Sequence, residues 1–254
     1  MKVTFPKIGN KHNLNPLFTP YEFFDGIKLY KQLPKTAIFI YSTRLKEELI
    51  GALSLKELNL AKKTKHNSYK HVKGLTNKSK SILVVSTGIG APQTAVQAEE
   101  LHALGVKKII IMGTAGGVSH HLKIGEIVVC NKAVRDDGVS HHYLKNALYA
   151  YPSFILTSKI KRIMKQTGIK FKSGSTWTID APYMETTKEV THYRKLGVLT
   201  VEMEAAALFS VAKKRGFQAA AVFVISDILG EKWSGFKIEK KDYAAFAQIA
   251  KHII

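Results

Sequence analysis

A short apolar run, Ile82-Leu83-Val84-Val85, ends in Ser86-Thr87-Gly88-Ile89-Gly90-Ala91-Pro92 and passes into a helical pattern over 93–104. Strand, glycine turn and helix in that order predict an α/β fold, since parallel neighbours are joined through helical crossovers. Glycines in such a turn let backbone N–H groups come close to a ligand, and the helix N-terminus behind them favours anions. The pattern recurs at 109–112, which runs into Gly113-Thr114-Ala115-Gly116-Gly117. After a basic loop, Ile124-Gly125-Glu126-Ile127-Val128-Val129-Cys130 reads as a further buried strand. Neither glycine turn is specific alone.

The remaining chain alternates in the same way. Strands are expected at 36–41, 171–179 and 219–225, and helices at 44–58, 152–167, 204–215 (stopping at Gly216) and 240–254. This order predicts a single-domain three-layer α/β/α fold over 1–254, with a central mixed, largely parallel sheet and helices on both faces. Pro6, Pro16, Pro20 and Pro34 mark 1–35 as an irregular N-terminal arm. With 254 residues and 45% hydrophobic content the chain can bury a sizeable core. Cys130 is the only cysteine, so no disulfide framework is possible, and its apolar surroundings predict a small buried hydrophobe. The first residues lack the apolar centre of a signal peptide, and no run approaches the roughly 18 apolar residues of a membrane helix. A cytoplasmic protein without a membrane partner is expected.

Charge is unbalanced, with 39 basic and 19 acidic residues giving +20. Such a field attracts polyanions or steers an anionic substrate such as phosphate. The excess is spread along the chain, clustered only modestly at 62–66 and 70–80, and arginine stands only at 44, 135, 162, 194 and 215. A lysine-rich solvated surface is the favoured reading over a dedicated nucleic-acid partner.

Against this background Val201-Glu202-Met203-Glu204-Ala205-Ala206-Ala207 and the later Ser226-Asp227 stand out. Carboxylates in apolar segments cost several kcal/mol each, on the order of the desolvation penalty, unless paired or hydrogen-bonded. A sugar's hydroxyls would satisfy them. Buried carboxyls of this kind can hold negative charge beside a developing cation or, with a proton retained by burial, act as an acid. Glu204 and Asp227 fit these roles. On spacing alone Asp227 would read as a helix cap after a strand; the company of Glu202 and Glu204 reverses that.

Together these segments, with Glu99-Glu100-Leu101, Leu104-Gly105-Val106 and Arg135-Asp136-Asp137-Gly138-Val139-Ser140, resemble the nucleoside phosphorylase family of purine nucleoside phosphorylases, uridine phosphorylases and methylthioadenosine nucleosidases. The likeness covers most of 80–230. It implies that Glu204 takes the ribose 2′ and 3′ hydroxyls, Met203 packs under the sugar and Glu202 lies near the base or sugar. Asp227 matches the acid that protonates a purine at N7, a task suited to a carboxyl raised by burial. Thr87, Gly88, Thr114, Ala115 and Gly116 fall at the substrate, with Gly88 and Thr114 also at the phosphate. Trp177 falls where the family places an aromatic against the base, the alternative being a core tryptophan. Lys240 stands thirteen residues beyond Asp227, where family purine phosphorylases carry a basic catalytic residue, and the ordinary reading there is a surface lysine. No cofactor is implied beyond inorganic phosphate as co-substrate, and the adjacent histidines at 120–121 and 141–142 complete no metal-ligand spacing.

The chain departs from the phosphorylases at Ile111, where they have an arginine. A second family arginine falls near Arg44 or Lys46, and a third, from a neighbouring subunit, near 68–70; lysine serves only as a point charge there. Hydrolysis is therefore a rival, although the nucleosidases' water-activating glutamate is replaced by Ser42-Thr43-Arg44. A degenerate nucleoside binder stands as a third reading, which turnover of D227N would discriminate. Ala181 and Tyr183 stand where uridine phosphorylases read uracil, which favours a purine. The expected product pair is free base and pentose 1-phosphate, and the expected assembly is a homo-oligomer, dimer or hexamer. His12 and His66 are candidates for an intersubunit sugar contact.

Overall fold

The computed structural model of the chain describes residues 11–24, 33–59, 73–230 and 233–253; the basic cluster at 62–66, the 68–70 position and part of the N-terminal arm lie outside them. The apolar runs become the centre of a mixed sheet. Its first half contains β1 (Thr36–Ile40), β2 (Lys56–Asn59), β3 (Lys73–Thr76), β4 (Ile82–Ser86) and β5 (Lys108–Gly117). The second contains β6 (Ile127–Asp136), β7 (Tyr149–Ala150), β8 (Lys172–Ile179), β9 (Val198–Glu202) and β10 (Gln218–Ile228). Helices alternate with them: α1 (Pro20–Phe24), α2 (Thr43–Leu53), α3 (Ala91–Ala103), α4 (Ser140–Tyr143), α5 (Phe154–Gln166), α6 (Thr187–Lys195), α7 (Ala205–Arg215) and α8 (Ala244–Ile253).

Strand order is β10-β6-β8-β9-β5-β1-β4-β3-β2, and β10 also pairs with β5. β4, β1, β5 and β10 are parallel neighbours. Antiparallel contacts of β6 with β10 and β9 with β5 close the other strands into a five-stranded ring. That ring brings the C-terminal ends of β5, β9 and β10 together.

Period-two alternation sorts the central strands onto two cores. Ala37, Phe39, Ile109, Ile111, Ala219, Ala221 and Phe223 face α3 and α7. Ile38, Ile40, Ile110, Met112, Ala220, Val222 and Val224 face α2, α5 and α8. Burial on both faces explains why these strands read as continuous apolar runs, and makes the protein the expected three-layer α/β/α fold. Each fully buried Phe or Leu side chain contributes about 1.5–3 kcal/mol of transfer free energy. A half-buried ion pair ties the two helices of the first core: Arg215 Nε donates to both carboxylate oxygens of Glu99, at 2.9 and 2.8 Å. Cys130 is buried as expected, its sulfur 3.3 Å from the Lys132 carbonyl.

Two sequence expectations are corrected. The helix predicted over 44–58 ends at Leu53, because Ser54 turns left-handed at φ 50° and returns its N–H to the Ile50 carbonyl. Lys56–Asn59 then pairs with β3. The second glycine turn, Gly113 to Gly117, is not a turn but the end of β5. Its glycines answer to close packing: a Cβ on Gly116 would stand 2.5 Å from Leu229 and one on Gly117 2.6 Å from Ile228. The sequence reading also lacked α6, β9 and the edge strands β2 and β3. α6 is announced by a capping box, in which Thr186 and Glu189 satisfy each other's backbone N–H.

Candidate active site

The site is built where β4, β9 and β10 end. After β4 the chain turns through Gly90, at φ 101° and ψ 159°, a region essentially reserved for glycine. This turn aims the Gly90 N–H at Glu204 Oε1, 2.7 Å away. Upstream, Thr87 is fastened by its N–H to the Ile40 carbonyl, while Gly88 is exposed.

Glu202 and Glu204 have different partners. Glu202 Oε2 accepts the N–H groups of Glu204 and Ala205 at 2.8 and 2.7 Å, and Oε1 accepts the Thr178 hydroxyl at 2.5 Å. Thr178 Oγ1 in turn accepts the Ala206 N–H at 3.0 Å. Glu202 is thus the N-terminal anchor of α7, a position that favours a carboxylate. The contacts of Glu202 in the structure are therefore with the protein's own backbone and Thr178, which makes it a support of α7 as well as a neighbour of the expected sugar site. Glu204 is buried with the Gly90 N–H as its side-chain partner. Burial raises both carboxyls above the usual range, and the charge of Glu202 pushes Glu204 furthest, up to about 8. Between them Met203 alone is half-buried in the otherwise buried stretch 201–212.

Thr114 is likewise the one half-buried residue in 109–118, with Ala115 and Gly116 buried beside it. Gly116 pairs with Val201 of β9 and with Asp227 of β10, so the acidic segment and the later aspartate meet across one glycine. Asp227 is 6% exposed. Its Oδ1 accepts the Ser226 hydroxyl at 2.6 Å and its Oδ2 the Trp233 indole N–H at 2.8 Å.

Three residues near these carboxylates escaped the sequence reading. Tyr41, at the end of β1, lies 3.5 Å from where a Gly113 Cβ would be, and its hydroxyl is 2.9 Å from Thr94 Oγ1. Burial and then the charge of Glu204 raise that hydroxyl well above its ordinary value. Glu185 is half-buried after the turn Pro182–Met184, and burial followed by the charge of Asp227 raises it to about 7. Trp233 is the third. The position of Tyr41 as the last residue of the strand expected at 36–41 was a usable signal; neither Glu185 nor Trp233 sits in a recognisable motif.

Other expectations fare differently. Trp177 is corrected to a core residue: it is 0% exposed, its N–H donates to Asp136 at 2.8 Å and its ring packs on Tyr193 at 4.5 Å. No face of the ring is open to a base. Lys240 is exposed in the turn Lys240–Tyr243, and the side-chain partners of Asp227 among the described residues are Ser226 and Trp233. Arg44 is exposed and donates to the Ile238 carbonyl at 3.4 Å, and Lys46 is half-buried on the same helix. Ile111 is fully buried in the core that Tyr41 also packs against. Arg135 is buried too, donating to the carbonyls of Ser140, Leu144 and Lys145, which pins the loop after β6. His141 and His142 turn to different partners, Asn146 and Lys11.

The family model described as Phosphorylase superfamily matches residues 38–253, from β1 through α8. The chain belongs to this superfamily. Among superfamily members, the DeoD-type purine nucleoside phosphorylase of Clostridium beijerinckii is 34% identical over 166 residues, covering 63% of this chain and 70% of the relative. The uridine phosphorylase of Haemophilus influenzae is 32% identical over 155 residues, covering 56% and 62%. In structure, uridine phosphorylase from Vibrio fischeri superimposes with a TM-score of 0.71 at 25% identity, covering 87% of this chain and 89% of the other. The Plasmodium knowlesi homologue of P. falciparum PNP shares the fold at a TM-score of 0.72 and 24% identity, covering 92% and 90%. The relatives are named phosphorylases, which are pentosyltransferases, and the superfamily's enzymatic character extends to this chain.

Proposed function

We propose that this superfamily member is a purine nucleoside phosphorylase, converting nucleoside and inorganic phosphate to free base and pentose 1-phosphate. The observation that carries the reading is that Gly116 pairs with both Asp227 and Val201, the residue that opens the segment carrying buried Glu204, with half-buried Met203 and Thr114 on the same strand ends. In this reading the ribose 2′ and 3′ hydroxyls donate to Glu204, whose Oε1 the Gly90 N–H already orients. Once it has lost its proton, the Glu204 carboxylate faces the positive charge that develops as the glycosidic bond lengthens. Asp227 supplies the proton to the departing base, and a phosphate oxygen attacks the sugar carbon from the side of Thr114 and Gly88, with Lys46 as a candidate cation. No cofactor takes part.

Resemblance to both a purine and a uridine phosphorylase leaves the base to chemistry. A purine is favoured by an acid positioned to protonate a ring nitrogen. The protein is proposed to act as a cytoplasmic homo-oligomer; no helix among the described residues is long and apolar enough to cross a membrane.

Water as the acceptor is a second reading, supported by one observation: at the position three before Thr114 the buried Ile111 offers no charge to phosphate. Base release from inosine, adenosine, guanosine, uridine and methylthioadenosine, with and without phosphate and with the sugar product identified, separates the readings. Phosphate-dependent sugar 1-phosphate from a purine nucleoside supports the proposal. Phosphate-independent free sugar replaces it with hydrolysis, and no release from any substrate leaves a binding protein.

A further inference from the structure

Trp233 reaches Asp227 because the chain after β10 folds back on itself. Leu229 bridges Trp233, Ile228 and Ser234 exchange hydrogen bonds at 2.8 and 3.2 Å, and the Lys237 N–H returns to the Ser226 carbonyl at 2.9 Å. This backbone hairpin sets the indole beside the carboxylate. Yet the ring is poorly held. It is 60% exposed, and its aromatic neighbour among the described residues is Phe236, edge-on at 5.1 Å and itself 72% exposed. An amphipathic ring so exposed is positioned mainly by the 2.8 Å bond from its N–H to Asp227 Oδ2.

The chemistry of that bond is specific. Indole is a five–six fused bicycle whose five-membered ring carries a donor-only N–H. A purine that has just accepted a proton at N7 is also a five–six fused bicycle with an N–H on its five-membered ring, directed at the acid that supplied the proton. We propose that Trp233 is a self-ligand of the base subsite: in the empty site its indole occupies the oxygen of Asp227 that the nucleobase must engage, and the base enters by displacing it. The inference rests on the assignment of Asp227 as proton donor and deepens it, because it selects a bicyclic base. Trp233 is a positioning residue, acting through Asp227. While its N–H remains on Oδ2, the base competes with an intramolecular donor, so part of the binding free energy goes to breaking the indole–carboxylate bond.

Trp233→Phe keeps an aromatic ring against Phe236 and removes the N–H; Trp233→Ala removes both. For wild type and both variants, the steady-state KM and kcat for the nucleoside and the emission change on titration with free hypoxanthine or adenine would be measured. Removing the competitor lowers KM in Trp233→Phe by about three- to tenfold, with kcat within about twofold. Merely structural damage would raise KM or reduce kcat. Wild-type emission changes as base displaces Trp233, and the change is absent from Trp233→Phe, where buried Trp177 is the remaining tryptophan. An unchanged or raised KM in Trp233→Phe overturns the inference, as does unchanged wild-type emission at saturating base. Titration with free base needs no turnover. An emission change without base release from nucleosides therefore sinks the phosphorylase reading alone, whereas turnover without an emission change sinks the self-ligand alone.

Discussion

Glu204 and Asp227 share a neighbourhood but differ in surroundings, and each difference can be measured. Asp227→Asn keeps the shape and loses the acid. Phosphorolysis should fall about 10²–10⁴-fold in kcat, with the fold intact by circular dichroism; a smaller loss would remove Asp227 from the proton transfer. For Glu204 the sign of the pH effect follows from its position near 8 when folded. Unfolded, a glutamate titrates near 4.3, so between about 4.3 and 8 the native state binds the extra proton and stability declines as pH rises. Glu204→Gln should flatten the fall in melting temperature from pH 5 to pH 8 by roughly 2–4 °C for each kcal/mol removed. An undiminished slope would place the extra proton elsewhere. Sequence reading found both carboxylates, because an acid in an apolar run is visible one residue at a time. It could not see that Glu202 is spent on backbone N–H groups two and three residues ahead while Glu204 has Gly90, which lies 114 residues away in the chain.

At the scale of elements, α7 is held at both ends by polar groups from elsewhere. Its N-terminus rests on Glu202 and Thr178, and near its C-terminus Arg215 pairs with Glu99 of α3. Thr178→Val should cost about 1–3 kcal/mol, since it leaves a buried Ala206 N–H without its acceptor and takes a donor from Glu202. Urea unfolding would measure it, and a loss below about 0.5 kcal/mol would show that α7 recaps itself. Gly90→Ala should cost a similar amount, about 1–3 kcal/mol, by forcing a Cβ into a glycine-only conformation. Unlike Thr178→Val it should also raise KM for the nucleoside, since it moves the N–H that orients Glu204. The central strands and the longer helices were legible from periodicity, whereas α6, β9, β2 and β3 were not. The end of α2 was not, because no glycine or proline marks Ser54, and β5 was cut short because glycine reads as a turn even where packing demands it.

For the molecule as a whole, a net charge of +20 around an acid-lined site invites a test of steering. Raising ionic strength from about 0.02 to 0.3 M shortens the Debye length severalfold, so KM for phosphate should rise while kcat changes little. Salt-independent KM would leave the lysines as a solvated surface without a role in substrate capture. The closed ring of β5, β10, β6, β8 and β9 is the feature on which the site depends, and no local pattern announced it.

The residue types and their order along the chain determined the α/β class, the two-faced burial of the central strands, the candidate acids and the superfamily. These are properties of short windows, where periodicity and the cost of burying charge leave a direct trace. Tertiary structure alone decided that Glu202 serves the start of α7 while Glu204 is met by distant Gly90, that Trp177 is core, that Ile111 and Tyr41 share one core, and that Trp233 lies on Asp227. Each of those depends on a contact between strands or on a chain that folds back on itself. Their partners are set by the register of the sheet, which sequence spacing does not encode.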